Sequence, residues 1–193
     1  MGEDESMKDA PNIIHDRKII FLHNPKAAGN SIAAALGITG STLHHVPSLL
    51  CDAETWETYF SILFVRNPYD RLVSSYAYHT SEDYQGIYAS RHPDLKKMSF
   101  FDYFQLMKHE MTLRPQSFYL SHMKSAKIVD FVGRFEDLAT DIELLGVLIN
   151  RDLKLMHLNK TPHKNYQEYY DTKTMSAVFE YYRQDFQIFG YWA

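Results

Sequence analysis

Two short segments of the sequence concentrate groups that bind anions. The first, Pro25-Lys26-Ala27-Ala28-Gly29-Asn30-Ser31, joins the apolar run Lys18 to Asn24 to the strong helix former Ser31 to Leu36. Small residues let a backbone come close to a ligand, and a helix start offers unpaired N–H groups and the positive end of the helix dipole. Lys26 adds a full charge and Ser31 a hydroxyl donor, so the target is an anion with several oxygens. In a nucleoside-triphosphatase loop the lysine stands immediately before the Ser or Thr that ligates Mg²⁺. Here Lys26 stands at the strand end of the loop and Asn30 precedes Ser31, so that magnesium arrangement is missing. A helix-opening turn with no ligand is the plain structural alternative.

The second segment runs from Phe64 through Arg66-Asn67-Pro68-Tyr69-Asp70-Arg71 to Ser74, Ser75 and Tyr76. Arg66 leaves an apolar strand at the carboxyl edge of a sheet, where open α/β folds bind ligands. Ser74 falls about two turns into the following helix, so both can face one phosphate, the arginine with a planar fork of donors and the serine with a short hydroxyl. A surface Arg66–Asp70 pair with a solvated Ser74 is the alternative.

Strand, tight loop and helix in that order open an α/β unit. The apolar runs at 18–24, 61–65 and 127–135 read as buried strands, and 41–47 as a further strand-like piece ending at Pro47. Helices are expected from Ser31, closed by Gly37 and Gly40; from Asp52; from Asn67 or Pro68, where proline suits the first turn; over 99–111; over 136–149; and as one closing helix over 175–191. Residues 81–94 read as a polar, Tyr-rich loop or lid. Residues 1–16 read as a flexible leader and 17–193 as a single domain.

Composition narrows the function. The 193 residues are 45% hydrophobic and 23% charged, a globular balance that excludes general disorder. Twenty Lys and Arg against 24 Asp and Glu give a net charge of −4, which argues against nucleic acid or a long polyanionic polysaccharide as partner. The lone Cys51 excludes an intramolecular disulfide and a Cys-based zinc site; a buried thiol is its ordinary fate, a nucleophile the other. No stretch is long and apolar enough to span a membrane and no secretory h-region is visible, so a cytoplasmic protein is expected. No HExxH, CxxC or paired-carboxylate pattern points to a metal. The 14 Tyr and 12 Phe suit an acceptor pocket or a plain core.

The two anion motifs together resemble the sulfotransferases that use 3′-phosphoadenosine 5′-phosphosulfate (PAPS). The form is that of sulfotransferase family 2, which includes the Golgi carbohydrate sulfotransferases. The resemblance continues through Gly133 to Leu138 and the aromatic tail Tyr181 to Tyr191. It implies a three-layer, P-loop-like α/β fold with a central, mostly parallel sheet flanked by helices. It implies that Lys26 contacts the 5′-phosphosulfate and its bridging oxygen, that Ala28, Gly29, Asn30 and Ser31 donate to the 5′-phosphate, and that Arg66 and Ser74 grip the 3′-phosphate. A later loop that closes over the nucleotide would be Leu158 to Thr161, with Lys160 and Thr161 as contacts. Such families place a catalytic histidine slightly more than twenty residues ahead of the arginine, which selects His44 or His45. Adjacent side chains of a strand face opposite ways, so one of the two points into the cleft, and His44 is preferred. His23 would touch the ligand or cap the strand end, and Glu54 and Glu57 are reserve bases. The expected activity is a PAPS-dependent O-sulfotransfer, direct, in line and without metal, to a hydroxyl of a small molecule or glycan. The rivals are a P-loop phosphotransferase on a small metabolite and a non-catalytic module that binds PAPS or its product, 3′-phosphoadenosine 5′-phosphate (PAP).

Overall fold

Four stretches rich in Ile, Leu, Val and Phe pair into one sheet. The computed structural model describes residues 10–155 and 163–191, and the chain falls into two compact units, Met1–Arg66 with Gln116–Leu158 and Asn67–Pro115 with Asn159–Ala193. The first unit holds the sheet, in the order β1 (Ile13–Ile14), β2 (Ile19–Leu22), β3 (Phe60–Val65), β4 (Phe131–Arg134). β1 is antiparallel to β2, whereas β2–β3 and β3–β4 are parallel, with Leu22 opposite Leu63 and Val65 opposite Arg134. Parallel pairing brings the carboxyl ends of β2, β3 and β4 to one edge. The first anion loop, Arg66 and Phe135 leave the sheet from that edge.

Side-chain alternation divides the strands into two faces. Ile19, Phe21, Ile62, Phe64 and Phe131 pack against Ile32, Ala33 and Leu36 around α1 (Gly29–Ala35) and Ile142 and Leu145 of α7 (Leu138–Leu148). The alternate residues Ile20, Leu22, Leu63 and Val65 are also fully buried, as expected of parallel strands covered on both sides. Each such side chain contributes about 1.5–3 kcal/mol by leaving water. At Gly133 a Cβ would lie 2.3 Å from the Phe64 ring, so only glycine lets β4 approach β3 at that point.

Two expectations for this unit change. Ile13 and Ile14, inside the expected leader, form β1. The segment 41–46 has no strand. Its Leu43 is instead clasped by the buried side chain of Asn12, which accepts from the Leu43 N–H at 2.6 Å and donates to the Leu43 carbonyl at 3.0 Å. One amide side chain thereby supplies the bonds that a neighbouring strand would have made. Two short helices follow, α2 (Pro47–Leu50) and α3 (Ala53–Thr58); the Asp52 side chain caps α3 by accepting from Thr55 N–H at 2.7 Å.

The second unit is helical. α4 (Pro68–His79) starts where proline and the Asn67 cap, accepting from Tyr69 N–H at 2.9 Å, predict it. Within this unit Arg71 is buried and donates to the carbonyls of Thr112 and Arg114, and Tyr103 of α6 (Phe100–Met107) hydrogen-bonds both Ser75 and His79. The expected loop 81–94 contains a short helix, α5 (Ile87–Arg91). The expected single closing helix is two, α8 (Thr172–Tyr181) and α9 (Arg183–Phe189), broken at Tyr182, whose hydroxyl donates to the Leu113 carbonyl at 2.7 Å.

Candidate active site

The loop after β2 is built on strained backbone. Lys26 and Ala28 both have left-handed conformations, with φ of 66° and 61°. For a residue with a Cβ this costs on the order of 1–2 kcal/mol each, and such strain gathers where function demands a particular backbone. Turns of this hand direct successive N–H groups into one concavity. The first helical bond is Ile32 N–H to the Ala28 carbonyl at 3.1 Å, so the N–H groups of Gly29, Asn30 and Ser31 have no acceptor in the helix. Asn30 is exposed and Ser31 is buried.

Two buried amides fix the entrance to the loop. Asn24 donates to the Phe64 carbonyl at 2.9 Å and to Gln116 Oε1 at 2.7 Å. The same Oε1 accepts from the Arg66 N–H at 2.9 Å, and Gln116 Nε2 donates to the Arg66 carbonyl at 2.8 Å. Gln116 thus clamps the backbone of Arg66 from both sides and ties it to the residue that opens the loop. The Arg66 side chain, itself buried, lies over the Phe135 ring at 4.0 Å and donates from Nη1 to the Lys26 carbonyl at 3.2 Å. Burial, and then the Arg66 charge, bring the Lys26 ammonium down to about 8. Two cations held this close, one partly desolvated, favour an anion between them.

Histidines line the other side of the loop. His23 is buried, and its Nδ1 hydrogen-bonds Thr42 Oγ1. Its ring meets that of His44 edge-on, centroids 4.3 Å apart at 72°. Burial first, with His44 adding to it, lowers His23 to about 3, so it is neutral at every working pH. His44 is exposed, yet partial desolvation of its imidazole, then the charges of His45 and Lys26, lower its pKa below the ordinary 6.5. Its carbonyl accepts from the Tyr119 hydroxyl at 3.1 Å. His45 is half-buried, with Nδ1 enclosed and without a hydrogen-bond partner. Because 41–46 is not a strand, the alternation that was to separate the two histidines does not apply.

One unit therefore brings together Lys26, Ala28, Gly29, Asn30, Ser31, Arg66, His44 and His45. Ser74 belongs to the other unit, buried on α4. Lys160 and Thr161 lie outside the described residues. Glu54 and Glu57 are exposed on α3, Glu57 accepting from Ser125. Burial pushes the Cys51 thiol up to about 12, which removes it as a nucleophile at neutral pH. Among the described residues no His, Cys, Asp and Glu converge as a metal-binding group, and no helix is long and apolar enough to cross a membrane. A groove lined by Arg17, Ile19, Phe60, Leu148 and Ile149 lies apart from these residues, and its one cation, Arg17, already donates to the Leu36 carbonyl.

Sequence reasoning missed Asn24, Thr42, Gln116 and Phe135. Asn24 had a signal, since it ends the strand that feeds the loop. Gln116 had none, because its work is done on the backbone of a residue far away in sequence.

No curated protein and no solved structure gives a significant match to the chain. The family model described as "Sulfotransferase family" matches residues 12–192, nearly all of it. By that match the chain belongs to the sulfotransferase family, sulfotransferase family 2.

Proposed function

We propose that the protein transfers the sulfuryl group of PAPS to a hydroxyl of a small-molecule or glycan acceptor, directly and in line. The observation that carries this reading is the hydrogen bond from Arg66 Nη1 to the Lys26 carbonyl. It joins two cationic anion-binding elements on one sheet edge, as a nucleotide with phosphates at both ends of its ribose requires. Lys26 and the N–H groups of Gly29, Asn30 and Ser31 take the 5′ end, and Arg66 takes the 3′-phosphate. Ser74, Lys160 and Thr161 join the nucleotide contacts on the family resemblance alone. The same resemblance supports the three-layer, P-loop-like description of the fold. A reducing, cytoplasmic setting belongs to the reading, supported by a single, buried, unbridged cysteine.

The chemistry asked of the chain is modest. The bond between sulfur and the bridging oxygen breaks, a bond from sulfur to the acceptor oxygen forms, and the acceptor proton goes to an imidazole. His44 is neutral at pH 7 because its pKa lies below 6.5, so it is ready to accept that proton, a contribution typically of about 10²–10⁴-fold. Its neighbour His45 is the other candidate. Lys26 is still mostly protonated at pH 7 and stabilises the charge that develops on the leaving phosphate.

The test is release of PAP from PAPS in the presence of an acceptor panel, against ATP with Mg²⁺ as control donor. PAPS-dependent sulfation lost in Lys26→Ala and His44→Ala is expected. Turnover of ATP and none of PAPS overturns the reading.

A further inference from the structure

His23 stands between the two halves of this site, and three contacts define its place. Toward the loop, its ring fills the space beside Gly29 so closely that a Cβ there would lie 2.0 Å from His23 Nε2. Toward the 41–46 segment, its Nδ1 is tied to Thr42 Oγ1. Toward His44, its ring meets the neighbouring imidazole in an edge-to-face arrangement, with centroids 4.3 Å apart. Gly29 has no left-handed backbone that would call for glycine, so the neighbouring imidazole is what demands the missing side chain there.

We propose that His23 is a positioning residue that holds the anion loop at Gly29 and the His44 imidazole in one fixed relation, so that the base stands correctly only when the loop does. The inference rests on the sulfuryl-transfer reading for what His44 does, and on geometry alone for what His23 does. Thr42 lies two residues before His44, and no strand partner steadies that segment. The Asn12 clasp at Leu43 and the Tyr119 bond at the His44 carbonyl fix its backbone, leaving the His44 ring to be braced by His23. The titratable and charged groups facing His44 are His23 from the end of β2, Lys26 from the loop and its own neighbour His45.

The test is a double-mutant cycle of Gly29→Ala and His23→Ala. The readouts are thermal unfolding and His44 ring titration by NMR in the ligand-free protein, then PAP affinity, and kcat and KM with PAPS. Gly29→Ala alone is expected to unfold at lower temperature and to bind PAP at least tenfold more weakly, because the new methyl must displace the ring or the turn. In the His23→Ala background the same change should cost less than threefold. His23→Ala should lower kcat tenfold or more with KM for PAPS within threefold of wild type, and should move the His44 titration up toward 6.5. His23→Phe keeps a ring against Gly29 and His44 while losing the Thr42 bond, so it should recover most of the lost kcat. A Gly29→Ala chain that fails to fold, beside a double variant that folds, is the same result in stronger form. Equal cost of Gly29→Ala in both backgrounds, or an unmoved His44 titration with kcat within twofold, overturns the proposal. A wild-type protein that fails to bind PAP sinks the donor assignment, and the ligand-free cycle and titration still decide the role of His23.

Discussion

The guanidinium of Arg66 donates to the backbone carbonyl of Lys26 over 3.2 Å, so the first residue after β3 holds the loop that follows β2. The two basic residues are locked by main-chain geometry rather than left to find each other across solvent, and burial, with the Arg66 charge adding to it, depresses the Lys26 pKa to about 8.

A pH profile follows from that shift. Lys26 is protonated below about 8 and loses its charge as the pH rises through that value. kcat/KM reports the free enzyme, so it should fall on the alkaline side with a midpoint near 8, and on the acid side only below 6.5, where His44 protonates. Lys26→Arg should abolish the alkaline limb, since a guanidinium keeps its proton beyond pH 12. Lys26→Ala should lower kcat by about 10²–10³, the usual effect of deleting one charge-stabilising donor. Rates measured from pH 5 to 10 check both.

Gln116 should behave as a site residue although it touches no reacting group. Gln116→Leu leaves the buried N–H and carbonyl of Arg66 without their partners. At ~1–3 kcal/mol for each unsatisfied group, unfolding in urea should show a loss of about 2–6 kcal/mol. Calorimetry should show PAP affinity falling at least tenfold, while adenosine 5′-phosphate, which lacks the 3′-phosphate, changes less than threefold.

Acid should loosen the fold through His23. Its pKa is about 3 in the native state against 6.5 for the exposed side chain, so between those values the unfolded chain binds the extra proton. Stability therefore falls as the pH drops from 6.5 toward 3, with a slope approaching ~1.4 kcal/mol per pH unit from this one group. Urea titrations at pH 7, 5 and 4 should show a shallower pH dependence in His23→Phe than in wild type.

Gly133→Ala probes the sheet beneath the site. Its methyl would meet Phe64 at 2.3 Å, and overpacking of this kind costs typically about 1–3 kcal/mol. Phe64→Leu in the same chain should return part of that loss in a denaturation curve.

How far the sequence could be read depended on whether the deciding contacts were local. The apolar runs at β2, β3 and β4 and the Pro68 start of α4 are local signals, and they were legible. β1 was not, because two isoleucines become a strand only by pairing with Ile19 and Ile20. The 41–46 segment reads as a strand by composition, yet the Asn12 amide takes the bonds a strand partner would make. In the site, Lys26, Gly29 and Arg66 were visible because their motifs are contiguous. Gln116 was not, because it grips Arg66 from fifty residues away. His23 stood out only as a neighbour of the loop, since its contact with Gly29 depends on how the chain folds back.

The most direct measurement of the central claim is calorimetric titration of the protein with PAP and with adenosine 5′-phosphate, repeated on Arg66→Ala. The account predicts at least tenfold tighter binding of PAP by wild type and a difference reduced to less than threefold in the variant. Equal affinity of the wild-type protein for the two nucleotides would contradict it.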